Sequence, residues 1–249
     1  MDLGLKDKVV LVTGAGSQIG FGKAIALTLA KEGCDIIVND INIEGAEQTA
    51  AEVRALGRKA IAIKADVRNR DEIDNMVKTA LEQFGEIDIL INNAGTPGIG
   101  PPTSEEVWDI NVNINFKGTW YVTNAVLPQM RERKSGKIVN FSSSVARSGT
   151  GGLYAAAKEA VIGLTKTWAR QLGPLGINVN GIAPGMGDTG FQVIVGATQE
   201  QKDRFISTVP MRRLTTPQDI ANTVAFLVSD VSIDITGQTI QVDGGDYMF

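Results

Sequence analysis

A chain of 249 residues, 43% of them hydrophobic and 21% charged, carries enough apolar material for one large core, and α/β domains of this size often stay undivided. The formal net charge of −4, with no long basic run, argues against nucleic acid as the main partner. There is no histidine, which removes Ser-His-Asp chemistry and the commonest zinc ligand; no metal site is expected, and proton transfer falls to carboxylate, lysine or tyrosine.

Short β-branched runs alternate with longer segments of helical period. Val9–Val12, Ile36–Val38, Ile61–Ile63, Ile87–Ile91, Ile138–Phe141, Val179–Ile182 and Thr239–Val242 read as strands. Helices are expected near 22–32, 44–56, 70–84, 104–133, 154–172 and 217–228. In the third of these, Ile73, Met76, Val77, Ala80, Leu81 and Phe84 keep the 3.6 period, with Asn69 and Glu72 as an N-terminal cap and Gly85 as a stop. Such βα alternation builds a parallel sheet covered on both faces, and right-handed crossovers favour a doubly wound order. The expectation is a single Rossmann-type α/β domain over residues 1–249. Its least regular stretch, about 184–216, follows a strand's carboxyl end and is read as a substrate loop or lid, or else an ordinary surface excursion.

The apolar runs are too short to span a bilayer, so no membrane partner is expected. Met1 to Lys8 lacks the apolar core of a signal peptide, and the single cysteine, Cys34, permits no internal disulfide. A reducing cytoplasm is the resulting expectation.

After the first strand comes Thr13-Gly14-Ala15-Gly16-Ser17-Gln18-Ile19-Gly20-Phe21-Gly22. Glycines let the backbone turn tightly and approach a pyrophosphate, and the helix that starts here offers free N–H groups and its positive dipole end. Asp40 closes the second strand, where a carboxylate can accept from both adenosine ribose hydroxyls and would repel a 2′-phosphate. Ile41-Asn42-Ile43 holds no cation for such a phosphate, and Ser17 and Gln18 are neutral. NAD is therefore expected over NADP.

Tyr154 and Lys158 are four apart in Tyr-Ala-Ala-Ala-Lys, on one face of a helix. An ammonium beside a phenol favours its ionised form, so the pair is expected to acidify Tyr154 toward neutrality. Upstream lie Ser142-Ser143-Ser144.

In order and spacing these features resemble the short-chain dehydrogenase/reductase family over nearly the whole chain. The landmarks are the glycine turn, Asp66-Val67, Asn92-Asn93-Ala94-Gly95, Asn115-Phe116-Lys117-Gly118, Gly136 to Ser143, Tyr154 with Lys158, Pro184-Gly185 with Thr189, and Val242-Asp243-Gly244-Gly245. The resemblance implies a nicotinamide-dependent oxidoreductase, usually a homotetramer. By position it makes Gly14, Gly20 and Gly22 the turn glycines, in a loop longer than usual through Gly16 to Gln18, with Ser17, Gln18 and Phe21 also at the cofactor. Asp66 and Val67 would bracket the adenine; Asn93, Ala94 and Gly95 would line the ribose. Pro184, Gly185, Gly187 and Thr189 would hold the carboxamide side of the nicotinamide.

The same resemblance implies that Tyr154 exchanges the substrate's hydroxyl proton while Lys158 lowers its pKa and holds the nicotinamide ribose. A serine would hold the substrate oxygen. Ser143 is preferred from strand phase, with Ser142 and Ser144 still open. Asn115 would position a water joining Lys158 to solvent, with Asn111 and Asn113 as rivals that could be caps or surface amides. Trp108 is expected in the core.

For the substrate, Phe191, Val193, Ile194 and Val195 suggest an apolar pocket for a secondary alcohol or ketone, or else lid packing. Arg147, Arg212 and Arg213 could meet an anion or form surface ion pairs. A 3-oxoacyl-thioester reductase is the alternative enzyme; members that dock acyl-carrier protein tend to have an arginine where Leu175 stands, and they mostly prefer NADPH. A non-catalytic nucleotide-binding regulator is the alternative of another class, disfavoured by the joint presence of Asn115, Tyr154 and Lys158.

Overall fold

The first strand, β1 (Val9–Thr13), is buried at every position, as a strand covered on both faces must be. The structure is a computed structural model that describes residues 2–98, 100, 101, 103–190 and 196–248. Six further strands join β1: β2 (Asp35–Asp40), β3 (Ala60–Lys64), β4 (Ile89–Asn92), β5 (Gly136–Phe141), β6 (Ile177–Pro184) and β7 (Thr239–Val242). They form one seven-stranded sheet of order β3-β2-β1-β4-β5-β6-β7, with every neighbouring pair parallel. The order reverses between β1 and β4, and the crevice beyond the carboxyl ends of those two strands is where such sheets take ligands.

The helices are α1 (Phe21–Lys31), α2 (Ile43–Ala55), α3 (Arg70–Phe84), α4 (Glu105–Ile110), α5 (Thr119–Arg133), α6 (Gly152–Leu172), α7 (Gln199–Thr208) and α8 (Pro217–Val228). Alternate strand residues feed two cores. Val10, Val12, Ile36, Val38, Ile89 and Ile91 face Ile25 and Leu29 of α1, Ala50 and Val53 of α2, and Ile220 and Val224 of α8. Leu11, Ile37 and Leu90 face Ile73 and Met76 of α3, Val126 and Met130 of α5, and Trp168 and Leu172 of α6. The period of two along each strand thus assigns the helices to opposite layers.

Boundaries shift by a few residues. The strand expected at Ile36–Val38 reaches Asp40, and the one expected at Ile87–Ile91 runs from Ile89 to Asn92. The Asn69 side chain caps α3 through Asp71 N and Glu72 N, and Gly85 ends it at φ 81°. The helix expected over 104–133 is interrupted: Asn111–Gly118 is π-helical, a wide turn that separates α4 from α5. Trp108 is a correction, because it lies on the outward side of α4 at 53% exposure. The lid expected over 184–216 holds α7, whose Thr198 and Gln201 form a reciprocal capping box. Phe191, Val193, Ile194 and Val195 lie outside the described residues. No helix among the described residues is long and apolar enough to cross a membrane.

Candidate active site

Thr13 ends β1 with its hydroxyl turned to β4: it donates to Ile91 O at 3.3 Å and accepts from Asn93 N and Ala94 N, both at 3.1 Å. Asn93 completes the join, its Nδ2 donating to Thr13 O and Gly14 O at 2.9 Å each. The Asn93 amide is thus spent on fastening the glycine turn to β4. Gly14 takes φ 66°, and a Cβ there would lie 2.8 Å from Ala94 Cα, so glycine answers both demands.

The turn delivers Gly20 as the N-cap of α1 with no side-chain cap, and the first turn of α1 has no acidic residue. Its leading N–H groups are therefore offered to an anion with no carboxylate in the helix's own first turn to repel it. The additional residues of the loop are tied down elsewhere. Gln18 Nε2 donates to Gly16 O and Gly45 O at 3.0 Å each, and its Oε1 accepts from Lys23 Nζ at 2.7 Å. Lys23 also pairs with Glu52 at 2.7 Å. Gln18 is a brace between turn and α2, while Ser17 is exposed.

Asp40 stands beside this turn at the end of β2. Its Oδ2 accepts from Gly16 N at 2.7 Å and its Oδ1 from Asn42 N at 2.9 Å. Each oxygen keeps a second lone pair, the capacity a ribose diol needs. Asp66 is engaged by Arg68, whose Nε and Nη2 reach its oxygens at 2.5–3.0 Å. That guanidinium holds the Asp66 carboxyl below its usual range. Val67 is buried, and a Cβ on Gly118 would lie 2.8 Å from it.

Across the crevice, β6 ends at Pro184 and Gly185 N donates to Val242 O at 3.0 Å. Gly187 pairs with Thr215, and a Cβ on it would meet Phe21 Cζ at 2.5 Å. Phe21 therefore brings the start of α1 against the loop that carries buried Thr189.

Tyr154 and Lys158 share the inner face of α6. Lys158 is 3% exposed, its Nζ stands 5.8 Å from the centre of the Tyr154 ring, and it donates to Phe141 O at 2.9 Å. Burial pushes Lys158 down to about 7. It pushes Tyr154 up to about 12, against a hydrogen bond with Ser143 that pulls the other way. This corrects the expectation of an ammonium acidifying the phenol: desolvation disfavours the charged form of each group. Among the chain's own groups, Tyr154 is held neutral and Lys158 is poised between its two forms around neutral pH.

The three serines part company. Ser142 donates to Lys158 O at 2.9 Å, Ser144 is buried at the head of a 3-10 turn, and Ser143 bonds Tyr154. Asn115 is fully buried on the π-helical stretch. Its Nδ2 donates to Thr96 O at 2.8 Å and its Oδ1 accepts from Thr96 N at 3.1 Å. A Cβ on Gly95 would stand 2.8 Å from Asn115 Oδ1 and 3.0 Å from Lys158 Nζ. Asn115, Gly95, Lys158, Tyr154 and Ser143 thus adjoin at one end of the sheet. Arg147 pairs with Glu159 at 3.7 Å, and Arg213 pairs with Asp219 at 2.5 Å.

Sequence reasoning passed over the roles of Thr13 and Thr96, and named Asn111 only as a rival of Asn115. Thr13 had a signal, a hydroxyl residue between a buried strand and the glycines; Thr96 had none, because it acts through its backbone.

A crevice at the switch point that offers open helix N–H groups on one side and a phenol-amine pair on the other defines a dinucleotide-dependent oxidoreductase of the Rossmann class. A family model described as enoyl-(acyl carrier protein) reductase matches residues 14–246. Over 247 residues the chain is 42% identical to 3-oxoacyl-[acyl-carrier-protein] reductase FabG of Staphylococcus epidermidis, covering 97% of this chain and 100% of that one. It is 40% identical over 251 residues to (2S)-[(R)-hydroxy(phenyl)methyl]succinyl-CoA dehydrogenase subunit BbsD of Thauera aromatica, with 99% of each chain covered. A 7α-hydroxysteroid dehydrogenase solved with NADH and 7-oxo glycochenodeoxycholic acid superposes with a TM-score of 0.93 at 34% identity, covering 98% of this chain and 96% of that one. The chain belongs to the short-chain dehydrogenase/reductase family, and it is an oxidoreductase of the kind that uses a nicotinamide cofactor.

Proposed function

We propose that the protein interconverts 3-oxoacyl and 3-hydroxyacyl thioesters with NAD(H), Tyr154 handling the proton. The observation that carries the reading is the linked Ser143–Tyr154–Lys158 group beside the switch-point crevice. Two relatives are named for acyl thioesters whose reacting carbon bears an oxo or hydroxyl group, which favours this class over the free secondary alcohol expected first. Coenzyme A is the carrier we infer, because Leu175 stands where carrier-protein-docking members of the family tend to have an arginine.

The residues fit a nicotinamide dinucleotide: an uncapped helix start, glycines against which a Cβ would clash, and a carboxylate at the end of β2. Gly14 to Gly22 would hold the pyrophosphate, Asp40 the adenosine ribose, and Lys158 with the Asn93–Gly95 segment the nicotinamide ribose. Asp40, with no cation in residues 41–43, supports NAD over NADP. The bound nicotinamide supplies the hydride acceptor or donor.

In reduction, Tyr154 Oη gives its proton to the substrate oxygen as charge develops there, and Ser143 Oγ holds that oxygen in line. Lys158 Nζ in its charged form stabilises the phenolate left behind. In oxidation the same atoms run in reverse. With Lys158 near 7, the amine takes or releases a proton at little cost around neutrality. The assembly we infer is the homotetramer usual in the family, in line with Trp108 and Trp120 at 53% and 41% exposure on the α4–α5 side; light scattering giving a monomer would refute it.

The test is NADH formation from 3-hydroxybutyryl-CoA, set against free secondary alcohols and against NADP⁺. The thioester with NAD⁺ is expected to give the highest kcat/KM. A free alcohol exceeding it would return the substrate to the secondary-alcohol class, and equal use of NADP⁺ would remove the role of Asp40.

A further inference from the structure

Asn111 is no surface amide: it stands at the C-cap of α4, and its side chain also reaches beyond that helix to the loop after β4. It has no solvent exposure, and its side chain repeats, one turn earlier on the wide helix, what Asn115 does. Asn111 Oδ1 accepts from Gly98 N at 3.2 Å, and its Nδ2 reaches Gly98 O at 3.5 Å and Val107 O at 2.8 Å. Two carboxamides four residues apart therefore pair with the N–H and C=O of two residues that are two apart, Thr96 and Gly98. The helix offers the loop after β4 a substitute ladder made of side-chain amides. Gly98 admits it, since a Cβ there would lie 2.4 Å from Asn111 Nδ2.

We propose that Asn111 is a positioning residue: by holding Gly98 it sets the loop from Gly95 to Gly98, and so fixes where Gly95 rests against Asn115 and Lys158. With Thr96 held alone, the loop could pivot about one rung. With Gly98 held as well, its path is determined at two points, and Gly95 stays packed at the amine. The inference rests on the reading of Lys158 and Asn115 as part of the reactive centre.

The variant is Asn111→Val, which keeps the branched volume and removes both hydrogen-bonding atoms. Losing one loop rung is expected to raise the NADH dissociation constant about tenfold, read by nicotinamide fluorescence. It should lower kcat on 3-hydroxybutyryl-CoA by a similar factor while the thioester KM stays within about twofold. Asn111→Gln keeps both the acceptor for the Gly98 N–H and the amide donor, and should restore most of the NADH affinity, a rescue that a volume-filling role would not show. An Asn111→Val protein with wild-type NADH affinity and kcat overturns the proposal, whatever its melting temperature. If that variant does not fold, Asn111→Ser is judged by the same two readouts. A wild-type enzyme inactive on thioesters would sink the substrate assignment alone, because the NADH comparison decides the role of Asn111 without it.

Discussion

Lys158 costs the fold stability at neutral pH, and the cost has a calculable pH dependence. Its amine moves from an ordinary 10.5 to about 7, so the unfolded chain binds a proton that the folded chain refuses anywhere between those values. The gap corresponds to about 4 kcal/mol at pH 7, where the folded amine is half protonated, and about 2 kcal/mol at pH 9, at 1.36 kcal/mol per pH step. The sign follows: where the unfolded state holds more protons, stability rises with pH, so the wild type should firm up from pH 7 toward pH 10. Lys158→Met retains the stem and deletes the amine, losing the bond to Phe141 O, worth about 1 kcal/mol. The variant should therefore be more stable than wild type by about 3 kcal/mol at pH 7 and about 1 kcal/mol at pH 9. Urea unfolding at matched protein concentration reads both. Tyr154, raised to about 12, is protonated in either state below pH 9 and does not confuse the comparison. A variant less stable than wild type at pH 7, or a gain equal at both pH values, would refute the argument that burial discharges this lysine.

Four more outcomes are expected. Tyr154→Phe should abolish turnover with NADH binding retained; more than a few per cent of wild-type rate would reassign the proton donor. Asp40→Ser should erode discrimination against NADP⁺, read as the ratio of kcat/KM for the two cofactors, and an unchanged ratio would refute the ribose role. Ser143→Ala should cut kcat by about a hundredfold, as losing an oxyanion donor does, whereas Ser142→Ala, deleting the bond to Lys158 O, should act mainly on the melting temperature; equal losses of kcat would undo the distinction. Cys34 is buried with its thiol raised to about 12, so thiol reagents should label it only as fast as the protein unfolds, and rapid labelling of folded protein would contradict the packing beneath β2.

The sheet was legible because each strand carries a short apolar, mostly β-branched cluster and α3 keeps its period; Ile73, Met76, Val77 and Ala80 reach the core in the expected phase. Spacing also brought Tyr154, Lys158 and Asn115 to one neighbourhood. Spacing could not say how deep that neighbourhood lies, so the electrostatic expectation for Tyr154 had the wrong sign: two residues four apart reveal proximity, while desolvation depends on everything packed above them. The π-helical stretch was hidden for a related reason. Nothing in Asn-Val-Asn-Ile-Asn-Phe-Lys-Gly distinguishes a wide turn from a regular one until the loop to be gripped is in place. Trp108 was misjudged because a large apolar side chain suits a core and an outward face equally well.

The wide turn at Asn111–Gly118 makes the length of this segment as binding as its composition. A helix rotates by about 100° per residue, so removing one residue there would swing the next fifteen around their axis. Val122, Val126 and Met130, now facing the sheet, would be carried toward water. The bend that presents two amides to a loop is also the gauge that aims an entire helix, so a residue gained or lost at a surface turn would leave that aim intact and one gained or lost here would not.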